Sequence, residues 1–313
     1  MAAGTSGPAV FLSPMAALAT LPMCVVDAFA SRAFSGNPAA VVDFGDAAFL
    51  PDAVLQAIAR ENNLAETAFV RRSSGAAAPA RFHLRWFTPL SEINLCGHAT
   101  LATAKVLLGS SAAAGSPQSV TFDSLSGPLT VTRSGEVLTL DFPAWEPAEV
   151  APAALPPALL AGLGLRAEDV LWAGKNRDYT LLLRSPAAVA AVRVDSRSLD
   201  LVSDAVVCIV AAAGDGAQHL PSGVRAAGGP APDFVSRAFC PRESNPEDPV
   251  CGSAHCSLIP VFARRLAKTE GLLAHQLSAR GGELHCSLVG DRVRIAGTAV
   301  VYMRGVIEVP AAL

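Results

Sequence analysis

Two short motifs and two acidic residues supply the side chains best suited to chemistry. Cys96-Gly97-His98 and Cys251-Gly252-Ser253 each begin a long apolar segment, so a histidine and a serine follow the two glycines at equivalent positions. Asp248 lies three residues before the second motif, and Glu66 stands where another apolar segment begins. Taken singly, such residues are more often structural than functional. Together in one cleft, they would be the equipment of general acid–base catalysis.

The two cysteines allow a second interpretation. A thiol at a helix N-terminus has a lowered pKa and gains nucleophilicity or basicity. Cys96 and Cys251 could therefore form a two-base pair, in which one thiol removes a proton and the other delivers one. Buried cysteines also serve as small apolar fillers, so both roles remain open.

The two glycines favour an anionic ligand. A helix N-terminus presents unpaired backbone N–H groups and a partial positive charge. Gly97 and Gly252 leave room for a ligand close to these backbones, although they would also serve as plain helix caps. If the two helix starts face each other, the cleft between them suits a small carboxylate-bearing substrate.

Metal and cofactor sites are not expected. Cys251, His255 and Cys256 share one predicted helix, but no second cluster with metal-ligand spacing accompanies them. The sequence has no phosphate-binding loop, no dinucleotide-binding glycine motif after a strand and no nucleophile elbow.

An internal repeat organises the chain. The two Cys-Gly pairs lie 155 residues apart, and the same offset without a gap superposes Gly127 on Gly282 and Leu129 on Leu284. A register kept over such a length indicates two fused copies of one domain. The segment rich in Ala and Pro at residues 143–164 resembles a linker. We therefore predict a tail at residues 1–22, one lobe at 23–146 and a second at 147–313.

The segments that follow the Cys-Gly pairs indicate how each lobe is built. Residues 97–108 contain one charge and residues 252–263 contain none, and a helix that is apolar on all sides must be buried on all sides. Short strands around such a helix would bury it, which predicts two similar α+β lobes. A surface helix is predicted at 51–60. Strand patterns occur at 23–28, 39–44, 67–71, 81–87, 118–123, 129–132 and 137–142, and again at 179–184, 205–211, 234–239, 283–289 and 292–302.

Composition excludes several classes of protein. The 313 residues include 24 Lys and Arg against 27 Asp and Glu, a net charge of −3 that argues against a nucleic-acid partner. The long uncharged stretch at residues 1–26 is broken by three prolines, so no membrane segment is predicted. Seven cysteines without a CxxC pair favour a reducing compartment, the cytoplasm.

Several segments, in order along residues 23–305, resemble the phenazine biosynthesis PhzF-like family. They are Asp27-Ala28-Phe29, Ser35-Gly36-Asn37-Pro38-Ala39-Ala40-Val41-Val42, Asn63-Leu64-Ala65-Glu66-Thr67-Ala68-Phe69, Arg85-Trp86-Phe87-Thr88-Pro89, Leu95-Cys96-Gly97-His98-Ala99-Thr100 and Glu247-Asp248-Pro249-Val250-Cys251-Gly252-Ser253-Ala254-His255.

The resemblance implies a diaminopimelate epimerase-like fold, with two pseudo-symmetric lobes that each curl a mostly antiparallel sheet around a central helix. It implies a cofactor-free isomerase, often a homodimer, with its active site between the lobes. Glu66 would abstract and return a proton, His98 and Asp248 would hold polar groups of the substrate and assist, and Ser253 would help bind its carboxylate. Asn37 would shape the pocket.

Three functions follow from these patterns. The first is an isomerase that uses Glu66 as a single proton carrier on a small carboxylated substrate. The second is an amino-acid racemase or epimerase that uses Cys96 and Cys251, which match the two catalytic cysteine positions of diaminopimelate epimerases and proline racemases. The third is a non-catalytic binding protein on the same scaffold. His255 is bulkier than the residue at this place in the phenazine enzyme, so the substrate is not carried over.

Overall fold

The computed structural model describes residues 18–73, 80–109, 118–221, 230–240 and 246–310 of the chain. The predicted tail lies outside these residues up to residue 17. From Leu18 onward the chain is already a strand, because residues 18–22 pair with residues 306–310 near the C-terminus.

The N-terminal half is a sheet with one central and one outer helix. Its elements are β1 (Leu18–Ala28), β2 (Asn37–Asp43), α1 (Asp52–Asn62), β3 (Glu66–Arg72), β4 (Ala80–Phe87), β5 (Glu92–Ile93), α2 (Gly97–Leu108), β6 (Ser119–Ser124), β7 (Gly127–Ser134) and β8 (Val137–Pro143).

The C-terminal half repeats this plan and adds short helices. The strand β9 (Ala148–Val150) ends the first half. The elements of the second half are α3 (Pro157–Leu163), β10 (Val170–Lys175), β11 (Tyr179–Leu183), α4 (Pro186–Ala191), α5 (Ser196–Leu199), β12 (Cys208–Ala213), β13 (Phe234–Phe239), β14 (Glu247–Asp248), α6 (Gly252–Leu266), β15 (Leu272–Gln276), β16 (Gly282–Val289), β17 (Arg292–Gly297) and β18 (Ala299–Pro310).

Strand pairing shows the duplication directly. In the first half, β2 and β3 are parallel, β4 is antiparallel to β3 and parallel to β6, and β6, β7 and β8 form antiparallel neighbours. In the second half, the strands β11, β12, β13, β15, β16 and β17 are paired in the same order. Each pair is parallel or antiparallel like its counterpart in the first half. The two lobes are joined where β8 pairs with β17.

The last strand of each half crosses to the other lobe. β9 ends the first half but pairs with β10, and β18 ends the second half but pairs with β1. The segment at residues 143–164 is therefore not an open linker, because it contains β9 and also α3, in which Leu159 and Leu163 are buried.

The two predicted central helices are buried as their sequences indicate. In α2 every residue from 97 to 105 is buried, and in α6 so is every residue from 254 to 263. The ammonium group of Lys105 lies 2.6 Å from the carboxylate of Glu136, which compensates for its burial. Among the described residues, no helix is long and apolar enough to cross a bilayer.

Candidate active site

A cleft of about 490 Å³ lies between the lobes, and residues from both halves of the chain line it. The first half contributes Glu66, Thr88, Glu92, Ile93, Asn94, Leu95, Ser126 and Trp145, and the second contributes Arg177, Val206, Val207, Cys240, Asp248, Cys251 and Ser253. The other predicted site residues do not line the cleft and lie among or against those that do: Asn37, Cys96, Gly97, His98 and Gly252.

Glu66 and His98 are in close polar contact at the cleft wall. Glu66 is the first residue of β3, and His98 is the second residue of α2. Carboxylate Oε2 lies 2.9 Å from imidazole Nε2, with side chains that are 16% and 3% exposed. Both atoms are buried, and their contact lacks hydrogen-bond alignment, so neither atom has an aligned partner among the described residues. Buried polar atoms without an aligned partner are rare, which marks this pair as a candidate functional group.

Asn37 ties His98 to Asp248 across the two lobes. Its amide nitrogen lies 3.0 Å from His98 Nδ1, 2.7 Å from Asp248 Oδ1 and 3.1 Å from the carbonyl oxygen of Val250. The amide has two hydrogens for these three acceptors. An unprotonated Nδ1 can share them, which leaves the ring proton on Nε2 toward Glu66. The three predicted residues Asn37, His98 and Asp248 therefore form one connected group.

The loop before Asn37 is fixed by an arginine of the second lobe. Gly36 has a positive φ of 65°, and a Cβ there would overlap the carbonyl group of Ala28, so this position requires glycine. Arg280 donates to the carbonyl oxygens of Gly36 at 2.7 Å and Ser35 at 3.1 Å, and to buried Asp27 at 2.7 Å. Sequence reasoning gave Arg280 no role, because the residue is distant in the chain from the loop that it holds.

A buried glutamine positions the other side of the site. Gln276 accepts from the backbone N–H of Cys251 at 2.8 Å and donates to the carbonyl oxygen of Asp248 at 2.6 Å. It thus holds the turn between β14 and α6 that carries both residues. No sequence motif marks it, since it lies within a continuous run of buried strand residues.

The pKa values of His98 and Asp248 are both raised, but by different causes. Burial alone lowers the pKa of His98, but the neighbouring Glu66 carboxylate outweighs burial, so the pKa of His98 is raised overall. Burial raises the pKa of Asp248 to about 6. The neighbouring His98 acts to lower this pKa, and the neighbouring Glu66 acts to raise it. Near neutral pH, charge and protons can therefore be redistributed within the site at modest cost in free energy.

The cysteines differ from the sequence-based expectation of a lowered thiol pKa. Cys96 and Cys251 are the residues that precede α2 and α6, as predicted. Burial raises the pKa of both thiols well above the ordinary value, and Glu66 raises that of Cys96 further, as Asp248 does for Cys251. The helix N-terminus does not compensate, because the thiols are enclosed and lie beside carboxylates.

The two glycines bring the helix starts into contact. A Cβ on Gly97 would lie 3.1 Å from the Cα of Gly252, and a Cβ on Gly252 equally close to the Cα of Gly97. The positions that a Cβ would occupy thus face the opposite glycine. The absence of side chains permits the close approach of α2 and α6 at the pseudo-twofold axis. The space that a side chain would fill at these glycines is taken up by the opposite helix.

The potential metal ligands that the structure brings together are not the ones that share the predicted helix. Ligand atoms of Glu66, Cys96 and His98 lie within 4.8 Å of one another. As arranged, however, the carboxylate approaches Nε2 of the ring and the thiol lies 3.5 Å from Nδ1, so the two flank different nitrogens. His255 lies elsewhere, with Nδ1 2.8 Å from the carbonyl oxygen of Cys251.

Sequence comparisons identify relatives along most of the chain. A family model described as phenazine biosynthesis-like protein matches residues 26–305. A Pseudomonas aeruginosa protein named as an uncharacterized isomerase is 46% identical over 280 residues, which cover 90% of this chain and 95% of the relative. The phenazine biosynthesis-like domain-containing protein 1 of Mus musculus is 37% identical over 304 residues, with coverages of 91% and 98%.

Structural comparison confirms the predicted fold. A crystal structure of a PhzF family phenazine biosynthesis protein from Enterococcus faecalis superposes with a TM-score of 0.77 and 41% identity, and covers 92% of this chain and 99% of that one. A hydroxyproline epimerase from Agrobacterium vitis superposes with a TM-score of 0.55 and 11% identity, with coverages of 93% and 92%. This last likeness concerns the fold alone.

Proposed function

Because this chain belongs to the phenazine biosynthesis-like family, we propose that it is an isomerase that moves a proton within a small carboxylated substrate, with Glu66 as the acid–base group and without a cofactor. The observation that carries this proposal is the close contact of Glu66 Oε2 and His98 Nε2, two buried atoms that lack aligned partners beside the cleft between the lobes.

In the proposed reaction, the Glu66 carboxylate removes a proton from one carbon of the substrate and returns it to another. The electron pair of the broken C–H bond moves into the adjoining unsaturated system and then forms the new C–H bond. No electrons enter or leave, so no redox partner is needed. His98 Nε2 lies against the carboxylate, and Asn37 keeps the ring oriented through Nδ1. Asp248, which also lines the cleft, would bind a further polar group of the substrate.

The substrate carboxylate is assigned to the start of α6. Ser253 is the second residue of this 15-residue helix and lines the cleft. Its hydroxyl and the backbone N–H groups of the first turn suit an anion. A carboxylate here would place the body of the substrate between the two lobes, where Glu66 and Asp248 also line the cleft.

The pseudo-symmetry supports one base rather than two. Strand register places Val207 of the second lobe at the position of Glu66, and Ile93 of the first lobe at the position of Asp248. The carboxylates thus have no symmetric counterparts. The two cysteines are symmetric counterparts of each other, which is the observation that favours the two-cysteine racemase. The raised pKa of both thiols, however, opposes their use as bases.

The function is tested by incubating the wild-type protein in D2O with a small-molecule extract of cells. We expect deuterium on carbon in at least one carboxylated metabolite, detected by mass spectrometry. Cys96→Ser and Cys251→Ser should each keep at least about a tenth of this exchange rate, since neither thiol carries the proton.

Two results would contradict the proposal. Loss of exchange in both serine variants, with retention in Glu66→Gln, would assign the chemistry to the cysteines. Binding of a metabolite without any exchange at carbon would instead indicate a non-catalytic binding protein.

A further inference from the structure

Arg177 is a cation in the cleft to which the sequence motifs assign no role. It lies in the turn between β10 and β11 and lines the cleft together with Ser253, Trp145 and Val207. Its side chain is 35% exposed, so the guanidinium group is open to the cleft although much of the stem is covered.

One edge of this guanidinium is held in place. Nε donates to Asp178 Oδ1 at 3.0 Å and Nη2 donates to Asp178 Oδ2 at 2.9 Å. Asp178 is fully buried and also accepts the backbone N–H of Val207 at 3.0 Å, which fixes the carboxylate. The guanidinium carbon lies 4.6 Å from the ring centre of Trp145. The group is therefore preorganised before any ligand arrives.

The other edge is partly available to a ligand. Nη2 also donates to the hydroxyl of Ser253 at 3.2 Å, so the edge formed by Nη1 and Nη2 is turned toward the start of α6. Nη1 has no hydrogen-bond partner among the described residues. Nη1 can therefore donate to one oxygen of a carboxylate, while the hydroxyl of Ser253, held by Nη2, can donate to the other.

Apart from Asp178 and Ser253, the neighbours of Arg177 are apolar, whereas the ionisable side chains elsewhere on the cleft wall are largely acidic. Trp145, Val206 and Val207 lie next to Arg177 in the structure and in the cleft lining. Apolar neighbours strengthen an ion pair by lowering the local dielectric constant. Glu66 and Asp248 would repel an anion from their part of the cleft. A bound molecule would thus turn its charged group toward Arg177.

We infer that Arg177 is a specificity-determining residue that binds the substrate carboxylate with Ser253, and that the substrate class is a carboxylate on an apolar body that contacts Trp145, Val206 and Val207. This inference rests on the proposed isomerase function and names the substrate class for the same cleft. It predicts that charge and apolar body are both needed for binding.

The test uses three probes in isothermal titration calorimetry: cyclohexanecarboxylate, its neutral carboxamide, and acetate, which has the charge without the body. The wild-type protein should bind the ring carboxylate at least about tenfold more tightly than either of the others. Arg177→Met should remove the preference for carboxylate over carboxamide. Arg265→Met is the matched control, because Arg265 stacks on Trp172 at 5.3 Å and does not line this cleft.

A double variant controls for misfolding of the single variant. Arg177→Met leaves Asp178 buried without its partner, so the double variant Arg177→Met/Asp178→Asn removes the stranded charge and should show the same loss of preference. Equal binding of carboxylate and carboxamide by the wild type, or an unchanged preference in both variants, would overturn the inference.

The inference and the proposed function fail separately. Glu66→Gln should keep the preference for the carboxylate probe, since this residue is assigned to proton transfer rather than to charge recognition. If this variant keeps both the preference and full isomerase exchange, the proposed function fails and Arg177 keeps its role. If Arg177→Met keeps the preference while Glu66→Gln loses exchange, only the role of Arg177 fails.

Discussion

Replacement of Glu66 by Gln is expected to reduce proton exchange at substrate carbon by about 10²–10⁴-fold. The amide keeps the size and shape of the side chain but cannot accept a proton at neutral pH. The same change should lower the pKa of His98, because Glu66 is the neighbour that raises it against the effect of burial. Exchange is followed by mass spectrometry in D2O, and the histidine is titrated by NMR.

The control for this variant is Glu61→Gln. Glu61 lies five residues earlier, is exposed, and should change neither exchange nor the titration of His98. Both variants should unfold at temperatures near that of the wild type, since surface or cleft substitutions of this kind change stability little. Undiminished exchange in Glu66→Gln would remove the carboxylate from the mechanism.

Replacement of Asp248 by Asn is expected to stabilise the protein at pH 7–8 while it impairs activity. The pKa of Asp248 is raised to about 6 in the folded chain, so folding disfavours the charged form. The carboxylate therefore costs stability above pH 6, by at most about 3 kcal/mol. This cost vanishes as the pH falls below the unfolded value of about 4.

The measurement is the free energy of unfolding of wild type and variant between pH 4 and pH 8. The gain should be largest at pH 8 and fade toward pH 4. An asparagine oxygen can still accept from the amide of Asn37 and the backbone N–H of Val250, so the fold should persist. Asp200→Asn, at an exposed position, should change stability by less than about 0.5 kcal/mol at every pH. A variant less stable than wild type at pH 8 would contradict the assigned effect of burial.

The architecture was predictable because a duplication leaves regular traces. The offset between the Cys-Gly pairs and the apolar character of residues 97–108 and 252–263 predicted two lobes around central helices, and the strand pairings repeat in the same order. The pairing of β18 with β1 was not predicted, because no local pattern in a strand specifies a partner so distant in the chain.

Residues of the candidate site were predictable where a motif contained them and unpredictable where only the fold brings them in. Glu66, His98 and Asp248 stand in recognisable motifs. Arg177, Gln276 and Arg280 act through contacts with residues of other elements, and each is ordinary in its own sequence context. The cysteines show the converse error. Helix position predicts a lowered thiol pKa, but enclosure and nearby carboxylates decide its direction here.

The most direct test of a single cleft with one proton carrier is a crystal structure with cyclohex-1-ene-1-carboxylate bound. We predict the carboxylate against Ser253 and Arg177, and a ring carbon within about 3.5 Å of an oxygen of Glu66, the distance of a reactive contact. A ring carbon held between the sulfur atoms of Cys96 and Cys251, with Glu66 out of contact, would contradict this account.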